Sequence, residues 1–406
     1  MHSTDTLRQR ATSCPAASAD GGCADDQIAG DGYTCRFEQG ARPESLILNM
    51  GPQHPSTHGV LRVLLELDGE YIVRAEPVLG YLHRMHEKMA EVKNPAQFMP
   101  NMGRVDYLHA LAWNWAYVGA VEKLAGIEIP ERAEWLRVIT CELNRITSHL
   151  LWWGAYLLDL GAFTPIMYAF DDRERLLDLL QMMTGSRLTY SSFRFGGVYS
   201  DASPAFVQGV REFIPHMRSR LPMYTALVTE NIILRRRIEE VGVIPPDMVT
   251  RYGASGPVAR GSGIAYDVRR AEPYSVYDRV DYEIPVRHEQ CSMARYMVRM
   301  AEIEQSLRIV EQALDQLPEG EHMHPKAPKP SFKLPAGESY FAVEGARGKI
   351  GVWIASDGGK TPYRVKLRAP GFSNLALFAE CARGTLLADA VAILGSLDMV
   401  IPEIDR

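Results

Sequence analysis

An α+β fold, mainly helical, is the class that this 406-residue sequence predicts. Three observations point to it. Apolar and polar residues alternate around an Asp-Gly turn near the start, as in a hairpin of strands. Apolar side chains then recur at helical spacing through the long middle. After a stretch rich in proline, histidine and lysine, the alternation returns. The expected architecture is a small N-terminal antiparallel sheet, a central antiparallel helix bundle and a C-terminal α/β segment. With 46% apolar residues, the chain can bury a sizeable core.

Residues 1–40, rich in Ser, Ala, Asp and Gly and without a period, are expected to be disordered. Residues 41–100 open the ordered part, with an apolar run at residues 46–50, a strand at residues 60–67, the turn Asp68-Gly69 and a second strand at residues 70–78. From Arg104 the period is helical, with Leu108, Leu111, Ala112, Trp115 and Val118 on one face. After Gly126 and Pro130 comes the longest helix, carrying Leu136, Ile139, Leu143, Ile146 and Leu150. Ser203-Pro204 starts another helix, which Pro222 is expected to end. The next is expected over residues 224–241, closing on Gly242, and one more over residues 293–317. The bundle thus spans residues 101–317 and a linker residues 318–337. In the last region, residues 338–406, strands are expected at residues 339–356 and 363–367, with helix returning from Leu375.

Net charge is −6, from 44 basic and 50 acidic residues, which offers no basic face for nucleic acid. The cysteines Cys14, Cys23, Cys35, Cys141, Cys291 and Cys381 are scattered without a CxxC pair, so reduced thiols are expected rather than a disulfide framework or a zinc site. No apolar leader core opens the sequence. The longest apolar run, residues 150–170, contains Asp159 and Pro165. A charge at mid-run is costly in lipid, so the run reads as a buried helix, and any membrane location is expected to arise through partners. With no glycine-rich nucleotide loop and no cysteine cluster, no cofactor or metal is expected on this chain.

The stretch most suited to chemistry is Asn49-Met50-Gly51-Pro52-Gln53-His54-Pro55-Ser56-Thr57-His58-Gly59-Val60-Leu61-Arg62. Its prolines and glycines imply a stiff loop of defined shape, which presents His54 and His58 at the mouth of a sheet. Histidine titrates nearest neutrality, so such a loop suits proton delivery or metal ligation. A hairpin connection whose histidines merely bond the backbone is the other reading.

This string, with others in order, resembles the 49 kDa family of respiratory complex I, whose bacterial members are its D subunits. The others are Gly80-Tyr81-Leu82-His83-Arg84, Arg104-Val105-Asp106-Tyr107-Leu108, Glu142-Leu143-Asn144-Arg145-Ile146-Thr147-Ser148-His149-Leu150, Leu158-Asp159-Leu160-Gly161-Ala162, Ser356-Asp357-Gly358-Gly359 and Glu403-Ile404-Asp405-Arg406. The resemblance implies a peripheral-arm component of a proton-translocating NADH:quinone oxidoreductase, in the fold shared with the large subunit of nickel–iron hydrogenases. Quinone is then the substrate, with a 4Fe–4S cluster, FMN and NADH on partner subunits. The B, C, H and I subunits of complex I, or their equivalents, are the implied partners. The implied place is the cytoplasmic side of the cell membrane, peripheral and held through those partners.

The same resemblance assigns roles. It makes His58 the proton donor or headgroup anchor, pairs it with Asp159, and adds His54 to the quinone site. Read from the residues alone, Asp159 is an acid in an apolar stretch that needs a partner, such as Arg137 or Arg145. Arg84 and Arg104 are implied to face the terminal cluster; on composition alone they are surface arginines. Two departures stand out. A family tyrosine that donates to the quinone is matched to Asn101, whose amide can donate a hydrogen bond but delivers no proton as a phenol does. A family histidine near the cluster is matched to Thr189. Three further readings remain open. A hydrogenase is disfavoured because its metal-binding cysteines would fall at Asp106, His109, Val400 and Glu403, and its soft site needs thiolates. A zinc hydrolase would use His54, His58 and His83. A non-catalytic or altered-donor scaffold paralogue is the last.

Overall fold

A computed structural model describes residues 36–39 and 45–406. The disorder expected for residues 1–40 falls outside the described residues except at Arg36–Gln39, which form a strand. Cys14, Cys23 and Cys35 also lie outside them.

The N-terminal sheet has four antiparallel strands in sequence order: β1 (Arg36–Gln39), β2 (Leu46–Met50), β3 (Arg62–Asp68) and β4 (Tyr71–Val78). Asp68-Gly69 makes the turn, with Gly69 at φ +59°, a conformation that glycine adopts freely. Alternation puts Val63, Leu65 and Leu67 on a buried face. That face packs with Phe378, Leu394 and Ile401 from the far end of the chain. Backbone bonds reinforce the meeting: Ile72 donates to Thr385 and Gly384 donates to Ile72. The first and last parts of the chain thus share one core.

Next come two short helices that sequence periodicity did not mark, α1 (His86–Val92) and α2 (Pro95–Met102), the latter capped by Asn94. The bundle follows, with α3 (Ala110–Ala125), α4 (Glu131–Asp159), α5 (Thr164–Thr184), the β5–β6 hairpin (Phe193–Arg194 and Gly197–Val198) and α6 (Pro204–Tyr224). Residues 150–170 are therefore not one helix. Helix α4 stops at Asp159, the chain turns through Gly161 at φ +90°, and α5 restarts at Thr164.

Pro222 does not end its helix. It sits inside α6, and the helix widens just beyond it into a π turn at Thr225–Thr229. A proline removes an intrahelical donor, and a wider turn is one way to absorb the lost bond. The helix expected over residues 224–241 is accordingly only α7 (Ile232–Ile238), capped by Asn231. Short helices α8 (Pro246–Tyr252), α9 (Pro257–Arg260) and α10 (Val268–Ala271) lead to the long α11 (Ser292–Asp315). The C-terminal region has a three-stranded antiparallel sheet, β7 (Ala336–Gly345), β8 (Gly348–Asp357) and β9 (Arg364–Arg368). It closes with α12 (Pro370–Ala376), α13 (Phe378–Cys381), α14 (Leu387–Ser396) and α15 (Ile401–Asp405).

Helix α4 is buried on nearly every side, including its charges. The Glu142 carboxylate accepts from Arg145 at 3.0 Å, Arg269 at 3.0 Å, Tyr277 at 2.7 Å and Ser306 at 2.7 Å. Arg260 bridges Glu302 at 2.7 Å and Glu344 at 2.8 Å, and Glu302 also meets His149 at 3.0 Å. Burial alone would raise the Glu142 and Glu302 carboxyls, yet the adjoining arginines hold both below the usual carboxylate range. The network ties α4 to α9, α10, α11 and β7.

A second tie joins the chain's end to its beginning. The Asp405 carboxylate accepts the backbone N–H of Gly80 at 3.0 Å and of Leu82 at 2.7 Å, while the His83 ring reaches the Asp405 carbonyl at 2.7 Å.

Two outcomes are expected. Glu142→Ala strands buried arginines and lowers unfolding stability by about 3–5 kcal/mol, read from the urea midpoint, whereas Glu76→Ala, which breaks the exposed pair with Arg74, changes it by less than about 1 kcal/mol. Asp405→Ala speeds amide exchange at Gly80 and Leu82 and leaves exchange in α4 as it was.

Candidate functional site

The histidine loop is held open by its own small residues. Gly51 has φ +89°, and a Cβ there would lie 2.2 Å from the Leu61 carbonyl oxygen, so only glycine fits. Pro55–Thr57 forms a single 3-10 turn. The buried Thr57 hydroxyl lies 2.8 Å from the His54 carbonyl and 2.9 Å from that of Gly59, and bonds them in turn. His54 Nδ1 accepts from the Ser56 N–H at 3.2 Å, so His54 serves the loop's own shape.

His58 follows at φ +54°, a left-handed conformation in which few side-chain-bearing residues sit. That turn sends its ring away from the loop and toward the end of α4. There, His58 Nε2 pairs with Asp159 Oδ2 across 101 positions of sequence. Both side chains are largely shielded, at 16% and 11% exposure. Asp159 is the last residue of a 29-residue helix, where the negative end of the helix dipole disfavours an anion and favours a nearby cation. The alternative partners are engaged elsewhere: Arg137 with Glu122, and Arg145 with Glu142. His58 Nδ1 has no hydrogen-bond partner among the described residues.

Helix α14 packs over this pair. Gly395 lies where a Cβ would press on the Tyr156 ring at 2.6 Å and come 3.8 Å from Asp159 Oδ2, and Gly59 backs onto Ile401. Beyond Asp159, an apolar cleft of about 390 Å³ runs between the α4–α5 turn (Leu160, Gly161, Phe163) and α7 (Ile233, Leu234, Arg237); neither His58 nor Asp159 lines it.

The other expected site residues fall in a second group. Arg84 is exposed on the loop that Asp405 latches, and Arg104 is exposed just after α2, its guanidinium reaching only the Pro100 carbonyl. Neither pairs with a carboxylate among the described residues. Asn101 Nδ2 donates to the Phe98 carbonyl at 3.0 Å, so part of its amide is already engaged within its own helix. The backbone of Thr189 and Tyr190 packs against Gly103, beside Arg104.

Sequence reading did not select Tyr107. Its phenol is half-buried, lies in the field of Arg84 and Arg347, and has no hydrogen-bond partner among the described residues. Burial raises its pKa. Its place directly after Asp106, within the Arg104-Val105-Asp106-Tyr107-Leu108 stretch, was the available signal.

Of the positions weighed for a metal, Asp106 pairs with a guanidinium, and Glu403 and His109 are engaged elsewhere. Asp106 Oδ2 meets Arg347 at 2.7 Å, and Arg347 also reaches Asp398 at 3.3 Å. Glu403 accepts from the Gly371 N–H at 2.6 Å and from Trp113 at 3.4 Å. Burial, then neighbouring Asp106, push the Glu403 carboxyl up to about 8. His109 bridges the backbones of Ala346 and Cys141. Among the described residues, no group of three His, Cys, Asp or Glu could hold a metal ion. His54, His58 and His83, weighed as a zinc site, make three separate contacts. Among the described residues, no helix is long and apolar enough to cross a membrane.

Comparison with known proteins gives one consistent answer. The profile of the family described as "Respiratory-chain NADH dehydrogenase, 49 Kd subunit" matches residues 159–330 and 322–406. The D subunit of the NADH-quinone oxidoreductase of Desulfotalea psychrophila is 60% identical over 363 residues, covering 89% of this chain and 97% of that one. The D 2 subunit of the Opitutus terrae enzyme is 58% identical, covering 89% and 91%, and the D subunit from Geobacillus thermodenitrificans is 50% identical, covering 90% and 99%. The chain belongs to the 49 kDa family of respiratory NADH dehydrogenases, the D subunits of the NADH-quinone oxidoreductases.

Proposed function

We propose that this component of an NADH:quinone oxidoreductase forms one wall of the quinone-binding pocket, with His58 as the group that meets the quinone headgroup. The His58–Asp159 pair carries this reading, because a strained loop and the end of the longest helix combine to hold one imidazole ready to give a proton. The opposite wall comes from the iron–sulfur B subunit of a proton-translocating complex. The C, H and I subunits complete the surroundings on the cytoplasmic side of the cell membrane, to which the chain is bound peripherally through them. A 4Fe–4S cluster held by that partner would supply the two electrons one at a time, drawn from NADH through FMN on other subunits. The unpaired guanidiniums of Arg84 and Arg104 suit a negatively charged redox group opposite them.

Reduction of a quinone to a quinol consumes two protons along with those electrons. Because Asp159 takes Nε2, Nδ1 is the ring nitrogen that meets a quinone oxygen. His58 gives the Nδ1 proton to that oxygen and keeps its Nε2 hydrogen on Asp159, which fixes the ring. His54 shapes the loop behind it. The second quinone oxygen faces Asn101 and Tyr107, of which only the phenol can deliver a proton.

In complexes purified from membranes, His58→Ala is expected to lower quinone reduction roughly 10²-fold, while NADH oxidation by ferricyanide stays at wild-type rate. Unchanged quinone turnover would leave the scaffold reading standing. Tyr107→Phe is expected to lower kcat more than Asn101→Ala does; the reverse order would assign the second oxygen to the amide.

A further inference from the structure

One segment near the chain's end touches the supports of both His58 and Asp159. At Gly395 a Cβ would come 3.8 Å from Asp159 Oδ2, and at Gly59, the neighbour of His58, a Cβ would lie 3.0 Å from the Ile401 side chain. Between Gly395 and Ile401 the chain leaves α14, turns at Asp398 with φ +58° and enters α15. How the two partners meet depends on where this segment is held.

The last carbonyls of a helix have no partner within it. At the end of α14, those of Gly395 and Ser396 are met by buried donors from two other helices. Trp152 Nε1 of α4 donates to the Gly395 carbonyl at 2.8 Å, which the Asp398 N–H also reaches at 3.2 Å. Arg299 Nη1 of α11 donates to the Ser396 carbonyl at 2.9 Å, and Arg295 Nε donates to the Ser396 hydroxyl at 3.0 Å. Cations suit this negative end of a helix. The indole is itself fixed. The Arg299 guanidinium lies 4.4 Å from its ring centre, and the ring stacks on Tyr156 at 5.2 Å with 17° between the planes. Trp152, Tyr156 and Asp159 follow helical spacing along one stripe of α4, and Gly395 closes against that stripe, since a Cβ there would lie 2.6 Å from the Tyr156 ring. Phenylalanine could supply the bulk of Trp152. It could not supply the N–H that holds Gly395.

We propose that Trp152 is a positioning residue for the His58–Asp159 pair: its indole N–H anchors the segment from Gly395 to Ile401, and that segment sets how the two side chains meet. The inference rests on the reading of that pair as the group that meets the quinone. Trp152 itself exchanges no proton. Without its N–H, the segment shifts and His58 Nδ1 moves off the point at which it meets the quinone oxygen. A misplacement of about 1 Å is enough to slow a reaction roughly 10²-fold.

The test is a double-mutant cycle on quinone reduction in complexes purified from membranes, with NADH oxidation by ferricyanide as the measure of assembly. Trp152→Phe keeps a stacked ring and removes the N–H. It is expected to lower kcat roughly 10-fold and to leave KM for quinone within about twofold. Combined with Asp159→Asn, it is expected to add nothing to the loss that Asp159→Asn causes alone, because no pair is left to position. A merely structural role would slow both backgrounds by the same factor. That result, or a wild-type rate in Trp152→Phe, overturns the proposal. A wild-type rate in Asp159→Asn defeats the reading of the pair itself, whereas a slow Asp159→Asn beside an unaffected Trp152→Phe defeats only the role of Trp152. If Trp152→Phe fails to assemble, a cryo-electron-microscopy map of the wild-type complex decides: an indole nitrogen on the Gly395 carbonyl supports the proposal, and one turned away overturns it.

Discussion

Glu142 is the residue on which the rest of the bundle turns. It sits at the centre of the longest helix, fully buried. Its two oxygens hold Arg145 of the same helix together with Arg269, Tyr277 and Ser306 from elsewhere in the chain. A buried carboxylate is tolerated only when partners replace the water it has lost. The same logic extends through Arg260, Glu302 and Glu344, so that helices and sheet are joined by directional bonds as well as by packing. Such bonds fix how α4 is rotated and how far along its axis it sits. Because Asp159 is the last residue of that helix, its placement follows from a network four turns and more away.

The site therefore depends on two fixed bodies. The helix delivers Asp159, and the N-terminal sheet delivers the loop that carries His58. The C-terminal helices lie between them, with Gly395 and Ile401 at the closest approaches. This explains why glycine recurs here: at Gly51, Gly59 and Gly395, an added methyl group would collide with backbone, with Ile401 or with the Tyr156 ring. It also explains why the carboxylate pair Asp106 and Glu403 is buried so near the chain's end. Arg347 binds that end, through Asp398, to the start of the bundle.

Local features were legible in the sequence, and distant pairings were not. The hairpin around Asp68-Gly69 and the stiff histidine loop were written in short-range patterns. Asp159 declared itself as a charge in an apolar run. Its partner did not, because nothing in spacing links position 58 to position 159; the match came from resemblance to a family. Pro222 misled because its lost bond is absorbed by a wider turn rather than by a helix end. The charges of α4 were the least legible. Arg137, Glu142, Arg145 and His149 look like a solvated face in one dimension, and only contacts from distant parts of the chain turn that face into core. Tyr107 escaped for a related reason, since it stands inside a motif and is distinguished by having no bonding partner among the described residues.

The wide separation of the network's members has a consequence for how the protein is made. Glu142 leaves the ribosome some two hundred residues before Glu344, a delay of roughly 10–40 seconds at about 5–20 residues per second. Throughout that interval the nascent helix carries charges whose partners do not yet exist, next to apolar faces that cannot close around them. The N-terminal sheet waits longer still, because its covering residues are translated some three hundred residues after it. Until those distant segments exist, neither the charges of α4 nor the apolar face of the N-terminal sheet has its native cover.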